Sequence, residues 1–167
     1  RVQRPWRFGN EAAVRCLFVL AVETAMRLRE MFTLTLAQVD LARKTIFLDK
    51  TKNGDKRQVP LSSVALQVLR DYLPHAAEGQ LFPWWDGQQK TLPATSDYLS
   101  KLFAAIFIQA GAQSLRFHDL RHEATSRLFE RTRLTDLQIM RITGHKSHRM
   151  LMRYANLRGS DLSEQLW

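Results

Sequence analysis

The spacing of the apolar residues is the feature that most constrains the fold of this chain. Apolar side chains recur every three or four positions in residues 11–25, 99–110 and 118–130. One face of an α-helix repeats with this period, so each stretch is predicted to be a helix that buries one side. With 167 residues, of which 45% are hydrophobic, the chain is long enough for one compact domain with its own core.

Two shorter stretches, residues 44–48 and 58–61, have the pattern of β-strands. Asn53 and Gly54 lie between them, and this pair suits the positive φ angles of a type I′ turn. The two strands are therefore predicted to form a hairpin. The expected fold class is mainly α with a small antiparallel β-sheet.

Further helices are indicated by signals at their ends. Residues 62–72 and 135–143 have helical spacing, and Gly144 directly after the second stretch is typical of a helix C-terminus. Ser147 is a suitable N-cap for a short final helix, which we expect to carry Tyr154.

The charge of the chain indicates a polyanionic partner. It has 25 Lys and Arg residues against 16 Asp and Glu, a formal net charge of +9 and a pI near 10.3. Cys16 is the only cysteine, so an intrachain disulfide is excluded and a reducing cytosol is favoured. Cys16 lies in an apolar run, where we expect a core residue, and that run is too short to cross a bilayer. The sequence thus predicts a cytoplasmic protein.

Six reactive side chains lie in five short motifs. They are Arg27 in TAMRLRE, Lys52 in TKNGDKRQVPL, His118 and Arg121 in FHDLRH, His145 in ITGHKSH, and Tyr154 in MRYANL. Together they supply two guanidiniums, an ammonium, two imidazoles and a phenol, which are the groups needed to cut a phosphodiester without a metal.

The chemistry of these groups suggests their roles. Arg27 and Arg121 can clamp the phosphate oxygens, because a guanidinium donates two parallel hydrogen bonds and stays charged. Tyr154 is the candidate nucleophile. A phenol is mostly protonated at neutral pH, so it needs a proton acceptor. His118 is expected to be that acceptor.

The order Arg, Lys, His-x-x-Arg, Gly-His, Tyr, with these spacings, resembles the catalytic domain of the tyrosine recombinases, the phage integrase family. The resemblance extends from about Glu11 to Trp167. It implies a DNA breaking and rejoining enzyme that acts on double-stranded DNA through a covalent 3′-phosphotyrosine, with no cofactor and no metal. In this family the counterpart of Lys52 protonates the leaving sugar oxygen, and the counterpart of His145 hydrogen-bonds the scissile phosphate. Lys50 and Lys56 are rival candidates for the lysine, ranked lower because the family lysine occupies the TKNG position.

The resemblance also bears on domain organisation. The chain is expected to be a single catalytic domain, in which residues 1–10 form a linker from a missing N-terminal DNA-binding domain. Residues 156–167 form a C-terminal tail, which packs either against a neighbouring subunit in a homo-oligomer or against its own core. The chain has Ala25 and residues 130–133 where the family often has glycine, and both differences concern local turn geometry.

Each site residue also has an ordinary structural interpretation. Arg27 could form a helix salt bridge, Lys52 could be a solvated turn residue, Arg121 an exposed helix charge, His145 a helix cap and Tyr154 a core residue. His118 and His122 are four positions apart, but the HExxH order of a zinc site is absent. His122 is therefore expected to be structural, or to contact a site residue without itself touching the substrate.

Three other functions are compatible with the sequence. A type IB topoisomerase uses similar groups to nick and reseal one strand. An inactive DNA-binding module would share the basic charge, and a basic protein-interaction domain would show no salt-sensitive DNA binding.

Overall fold

The computed structural model describes residues 10–49, 56–76 and 78–154. Within these residues the α-helices are α1 (Glu11–Thr24), α2 (Leu28–Phe32), α3 (Ser63–Tyr72), α4 (Leu92–Gln109), α5 (Phe117–Arg131), α6 (Asp136–Thr143) and α7 (His148–Met152). The strands are β1 (Val39–Asp40), β2 (Thr45–Leu48) and β3 (Arg57–Pro60), and 3₁₀ turns occupy Leu36–Gln38, Leu73–His75 and Gln89–Thr91. The predicted class, mainly α with a small antiparallel sheet, is confirmed.

In the part of the chain that the structure describes, the strands form one antiparallel sheet in the order β1-β2-β3. Ile46 pairs with Val59 and Leu48 with Arg57. Ile46 and Val59 are buried, which fixes this register, because a shift of one strand by one residue would turn its buried side chain to the other face. The strands of the predicted hairpin are confirmed, while its turn at Asn53 and Gly54 lies outside the described residues.

The core is built around α1, which packs against α3 and α5. Its members include Leu17, Leu20 and Phe103, all essentially inaccessible to solvent. Cys16 is fully buried among them, as predicted, and burial raises the pKa of its thiol to about 12. No helix of the described ranges is long and apolar enough to cross a membrane.

Two predicted boundaries were wrong. Helix α4 begins at Leu92, before the first periodic residue, because Pro93 lies in the first turn, where a missing N–H costs nothing. Helix α7 is capped by the Ser147 hydroxyl as expected, but it ends at Met152. Tyr154 therefore lies in the turn after the helix, where its N–H bonds to the Leu151 carbonyl.

Candidate active site

Arg27 is placed by a sharp turn between α1 and α2. Helix α1 ends at Thr24, and Ala25 adopts a left-handed conformation with φ of 54°. Glycine adopts this conformation at lower cost than alanine, so the departure from glycine expected at Ala25 does concern the geometry of this turn. Arg27 then begins α2, where the Glu30 carboxylate accepts hydrogen bonds from its backbone N–H at 2.8 Å and its Nη1 at 2.9 Å.

The salt bridge between Arg27 and Glu30 is the structural alternative considered for Arg27, and it is present. This salt bridge occupies only part of the hydrogen-bonding capacity of the Arg27 side chain. A guanidinium has five N–H groups, and the Arg27 side chain is 29% exposed. The bond to Glu30 thus orients the fork and leaves donors for a further acceptor.

Glu30 has a second cationic partner that sequence reasoning missed. Arg57 on β3 donates to both Glu30 oxygens, at 2.9 and 2.7 Å, and its Nε donates to the Ile142 carbonyl at 3.0 Å. Burial alone would raise the pKa of Glu30, but the hydrogen bonds and charges of Arg57 and Arg27 hold it below its usual range. The buried carboxylate therefore stays ionised between two arginines.

Arg121 is buried on α5, so its interpretation as an exposed helix charge was wrong. Its Nη1 donates to the Ala25 carbonyl and its Nη2 to the Thr143 carbonyl at 2.7 Å. Burial, with a further contribution from the nearby Arg27 charge, lowers the pKa of Arg121 to about 10, so it remains protonated at neutral pH. The side chain thereby joins the turn before Arg27 to the end of α6.

His145 follows the left-handed Gly144 that ends α6. The Thr143 hydroxyl donates to the Ile139 carbonyl at 2.9 Å and lies 2.7 Å from His145 Nδ1. Because that hydroxyl has one proton, the His145 Nδ1 is the donor in the second bond. Burial, together with the charges of Arg121 and Arg27, lowers the pKa of His145 to about 4. The ring is therefore neutral at pH 7, with Nε2 free of a proton.

Tyr154 is half-buried, with the imidazoles of His122 and His145 beside it. Its hydroxyl is hydrogen-bonded to His122 Nδ1, and the two rings stack with centroids 5.5 Å apart. The His145 ring centroid lies 5.9 Å from that of Tyr154. His118, the helper expected from sequence, stands edge-on to His122 at 4.7 Å between centroids. Tyr154 thus lies within the candidate site, and its hydroxyl is bonded to His122.

A cleft of about 550 Å³ opens in front of the two arginines. Arg27, Arg121 and the exposed His118 line it together with Lys101 and Arg116. Burial, and then the charges of His122 and Arg121, lower the pKa of His118. Much of the lining is apolar, from Met26, Leu28 and Phe117 among others, and the cationic groups beside them supply N–H donors that suit an anionic group such as a phosphodiester.

Five of the six predicted site residues are therefore brought together, and the sixth, Lys52, lies outside the described residues. Sequence reasoning missed Glu30 and Arg57 as parts of the candidate site, and it expected His122 to be structural or to support the site without foreseeing its bond to Tyr154. Glu30 follows Arg27 by three positions and His122 follows Arg121 directly. This closeness in sequence could have indicated that both lie at the candidate site. Arg57 offered none, because its partners come from distant segments.

Most of the chain matches one family of known proteins. The phage integrase family matches residues 7–160 of this chain. This chain belongs to the phage integrase family. The resemblance inferred from the five motifs is confirmed.

Individual relatives carry related names. A shufflon-specific DNA recombinase of Escherichia coli is 37% identical over 99% of this chain and 40% of its own length. A putative integrase/recombinase of Haemophilus influenzae is 33% identical over 81% of this chain and 41% of its own length. The integrase of Salmonella phage P22 is 27% identical over 86% and 39%. This integrase-family chain thus spans about two fifths of the length of the curated relatives it matches.

Solved structures support the fold. The XerH site-specific recombinase bound to difH substrate in a pre-cleavage complex gives a TM-score of 0.71 at 23% identity, covering 96% of this chain and 48% of that one. The Tn1549 transposon integrase in complex with transposon right end DNA gives 0.72 at 14% identity, covering 92% and 57%. At these identities the likeness establishes the fold of the integrase-family domain.

Proposed function

We propose that this domain is the catalytic domain of a site-specific DNA recombinase, which cuts duplex DNA through Tyr154 and rejoins it. The observation that carries the proposal is the position of the Tyr154 hydroxyl, bonded to His122 beside His145. Arg121 lies close enough to act on both rings. Burial lowers the pKa of His145 and raises that of Tyr154, and the charge of Arg121 makes a smaller, lowering contribution to each. A phenol beside imidazoles and guanidiniums is suited to attack a phosphodiester.

In the proposed reaction Arg27 and Arg121 hold the non-bridging oxygens of the scissile phosphate. Attack on phosphorus concentrates charge on these oxygens, and fixed guanidiniums stabilise it without reorganising. Arg121 is already oriented by the carbonyls of Ala25 and Thr143, and Arg27 by Glu30. His145 presents an unprotonated Nε2 that gains a proton, and becomes a donor, when a phosphate raises its pKa.

The covalent step exchanges one phosphate ester for another. The Tyr154 oxygen forms a bond to phosphorus as the bond from phosphorus to the 5′-oxygen breaks, and the 5′-oxygen leaves with a proton. Lys52 is the proposed proton donor, on the strength of the family motif alone. The 3′-phosphotyrosine conserves the ester, so a 5′-hydroxyl of a partner strand can reverse the reaction with no energy-supplying cofactor.

The experiment that tests this function uses a nicked duplex whose short cleaved fragment diffuses away and traps the covalent intermediate. The duplex is selected by the wild-type chain from a randomised pool. We expect a protein–DNA adduct that survives denaturation with the wild type and is absent with Tyr154→Phe. An equal adduct in both would place the nucleophile elsewhere. Supercoil relaxation without any strand transfer between two sites would favour a topoisomerase instead.

Double-stranded DNA is the proposed partner, and binding should weaken steeply as salt increases. Each phosphate contacted by Lys or Arg releases counterions, which gives a linear fall of log affinity with log salt. Titration of a labelled duplex at several salt concentrations measures that slope. A salt-independent affinity would contradict the proposal. Because the proposed substrate is DNA, we also propose that the protein acts in the cytoplasm.

Self-association through the C-terminal tail is also proposed. The apolar groove between α1, α3 and α5, about 650 Å³ in volume, is lined by Phe18, Val64 and Leu120 among others. Phe18 and Val64 are exposed, and a tail with Leu157, Leu162 and Leu166 matches this groove in chemistry. Removing residues 156–167 should lower the mass of the assembly on DNA, measured by light scattering. An unchanged mass would count against a role for the tail.

A further inference from the structure

The hydroxyl of Tyr154 is held by the histidine that follows Arg121 directly. Tyr154 Oη and His122 Nδ1 are hydrogen-bonded, and the two ring planes are inclined by only 29° at a centroid distance of 5.5 Å. His118 faces the cleft with Arg27 and Arg121, and it meets His122 edge-on. The contact with the reacting oxygen therefore belongs to His122.

We propose that His122 is a catalytic residue, which takes the phenolic proton at Nδ1 as the Tyr154 oxygen attacks phosphorus. This proposal rests on the proposed function of the domain. The bond between Tyr154 Oη and phosphorus forms while the bond to the 5′-oxygen breaks. The phenolic proton moves to His122, and the leaving oxygen takes its proton from a separate acid, for which Lys52 is the candidate. During rejoining the imidazolium returns the proton to the phenol.

The surroundings of Tyr154 make a proton acceptor necessary. Burial raises the pKa of Tyr154, against a lowering by the charges of Arg153 and Arg121, and the net direction is upward. The phenol is consequently protonated at neutral pH and is a weak nucleophile. A general base must lie within hydrogen-bond reach of the proton it removes, and His122 meets that condition already.

Several titratable and charged groups lie near His122, and any test must distinguish their effects from those of His122. They are His118, Asp119, Arg121, Glu123 and Arg127 on α5, Glu23 on α1, His145 after α6, and Tyr154 itself. Because two other imidazoles are present, a pH profile of the wild type alone cannot be assigned. Variants of His122 are needed beside variants of its neighbours.

The first test reads the tautomer of His122 by nitrogen-15 NMR of the chain at neutral pH without DNA. An acceptor at Nδ1 requires the neutral ring to carry its proton at Nε2. We expect an unprotonated Nδ1 whose resonance shifts in Tyr154→Phe, which lacks the hydroxyl. A neutral ring protonated at Nδ1 would make His122 the donor and overturn the proposal.

The second test compares cleavage by His122→Ala and His122→Asn on the nicked duplex. Asparagine places an amide near the position of Nδ1, so it can hold the phenol but cannot accept its proton. General-base catalysis contributes about 10²–10⁴-fold, and we expect both variants to be slower by such a factor at neutral pH. Their defect should shrink as the pH rises towards the pKa of Tyr154, which lies above the ordinary phenol value of about 10, because the phenol then ionises without a base. The exposed His75→Asn serves as a control with the wild-type rate.

A purely positional role gives a different pattern. In that case His122→Asn restores the wild-type rate and the defect of His122→Ala is the same at every pH, which would overturn the proposal. His118→Asn provides the comparison within the site. A larger, pH-reversible defect in His118→Asn with an unchanged rate in His122→Ala would assign the proton to His118.

A modified substrate separates the two proton transfers. When sulfur replaces the leaving 5′-oxygen, the thiolate departs without an acid. Lys52→Ala should then recover its rate, whereas His122→Ala should remain slow, and recovery by His122→Ala would make it the acid and overturn the proposal. If the wild type forms no adduct at all, the proposed function fails. If it forms one and His122→Ala matches it, only the assignment of His122 fails.

Discussion

Arg57 and Glu30 form a bidentate ion pair that joins three segments of the candidate site. Their N–O distances are 2.9 and 2.7 Å, and their side chains are only 8% and 6% exposed. Glu30 also orients Arg27, and Arg57 also bonds the Ile142 carbonyl, three residues before His145. Strand β3, helix α2 and the end of α6 are thereby connected through one pair of charges.

Replacing Arg57 by methionine should cost stability as well as orientation. The substitution keeps much of the side-chain volume and leaves the Glu30 carboxylate buried with Arg27 alone. Breaking a buried pair on one side costs about 3–5 kcal/mol, which urea unfolding would measure. Arg43→Met is the matched control, because Arg43 forms an exposed pair with Asp40 next to the same sheet. An equal loss of unfolding free energy in the two variants would show that the buried pair contributes no more to stability than the exposed one.

Gly144 is predicted to be required for two separate reasons. Its φ is +71°, and a Cβ there would lie 2.9 Å from Arg57 Nη1. Gly144→Ala should therefore destabilise the protein by more than the ~1 kcal/mol cost of a left-handed alanine, and it should displace His145. Gly111→Ala isolates the first effect, because Gly111 has φ of +80° and nothing lies within 4 Å of its Cβ position. The stabilities of both variants are measured by thermal unfolding. Equal losses of stability would show that the contact with Arg57 adds nothing to the cost at Gly144.

The low pKa of His145 makes a prediction about acid stability. An unfolded histidine titrates near 6.5, whereas folding lowers the pKa of His145 to about 4. The unfolded chain thus binds this proton more readily, and the contribution of His145, complete above pH ~6.5, is lost as the pH falls towards 4. Urea unfolding between these values should show a shallower pH dependence for His145→Gln than for the wild type. His75→Gln controls for the removal of a surface histidine, and identical slopes in all three proteins would refute the shift.

Arg121→Lys should impair catalysis although it keeps the charge. A lysine ammonium cannot reproduce the planar fork that reaches the Ala25 and Thr143 carbonyls together. Loss of one preorganised donor at a developing charge costs about 10²–10³-fold in rate, measured as adduct formation on the nicked duplex. Arg127→Lys, two turns along the same helix and paired with Glu23 and Glu123, should retain the wild-type rate. A similar defect in both would indicate a general effect on α5.

The helices could be predicted wherever the apolar period was long enough to be read. Helices α1 and α5 were located within about one residue at each end, and Gly144 does end α6 in a left-handed conformation. Helix α2 and strand β1, with five and two residues, are too short to establish a period. Their formation depends on contacts with the rest of the fold.

The candidate site was also predictable only in part: its reactive groups could be identified from the sequence, but the contacts between them could not. The motifs named the reactive groups, because each reaction step requires a particular functional group. The contacts between them were not predictable, since Arg57 and Glu30 are 27 positions apart and His122 and Tyr154 are 32 apart. Which imidazole meets the phenol depends on how the turn after α7 packs against α5, and the sequence favoured His118 over the neighbour that makes the bond.

The central claim, that Tyr154 is the nucleophile, is tested most directly by locating the covalent bond. The trapped protein–DNA adduct is digested with nuclease and with trypsin, which cleaves after Arg153 and Arg158, and the peptides are sequenced by mass spectrometry. We expect a nucleotide joined through its 3′-phosphate to the tyrosine of peptide 154–158. A nucleotide attached to any other peptide, or joined through a 5′-phosphate, would contradict it.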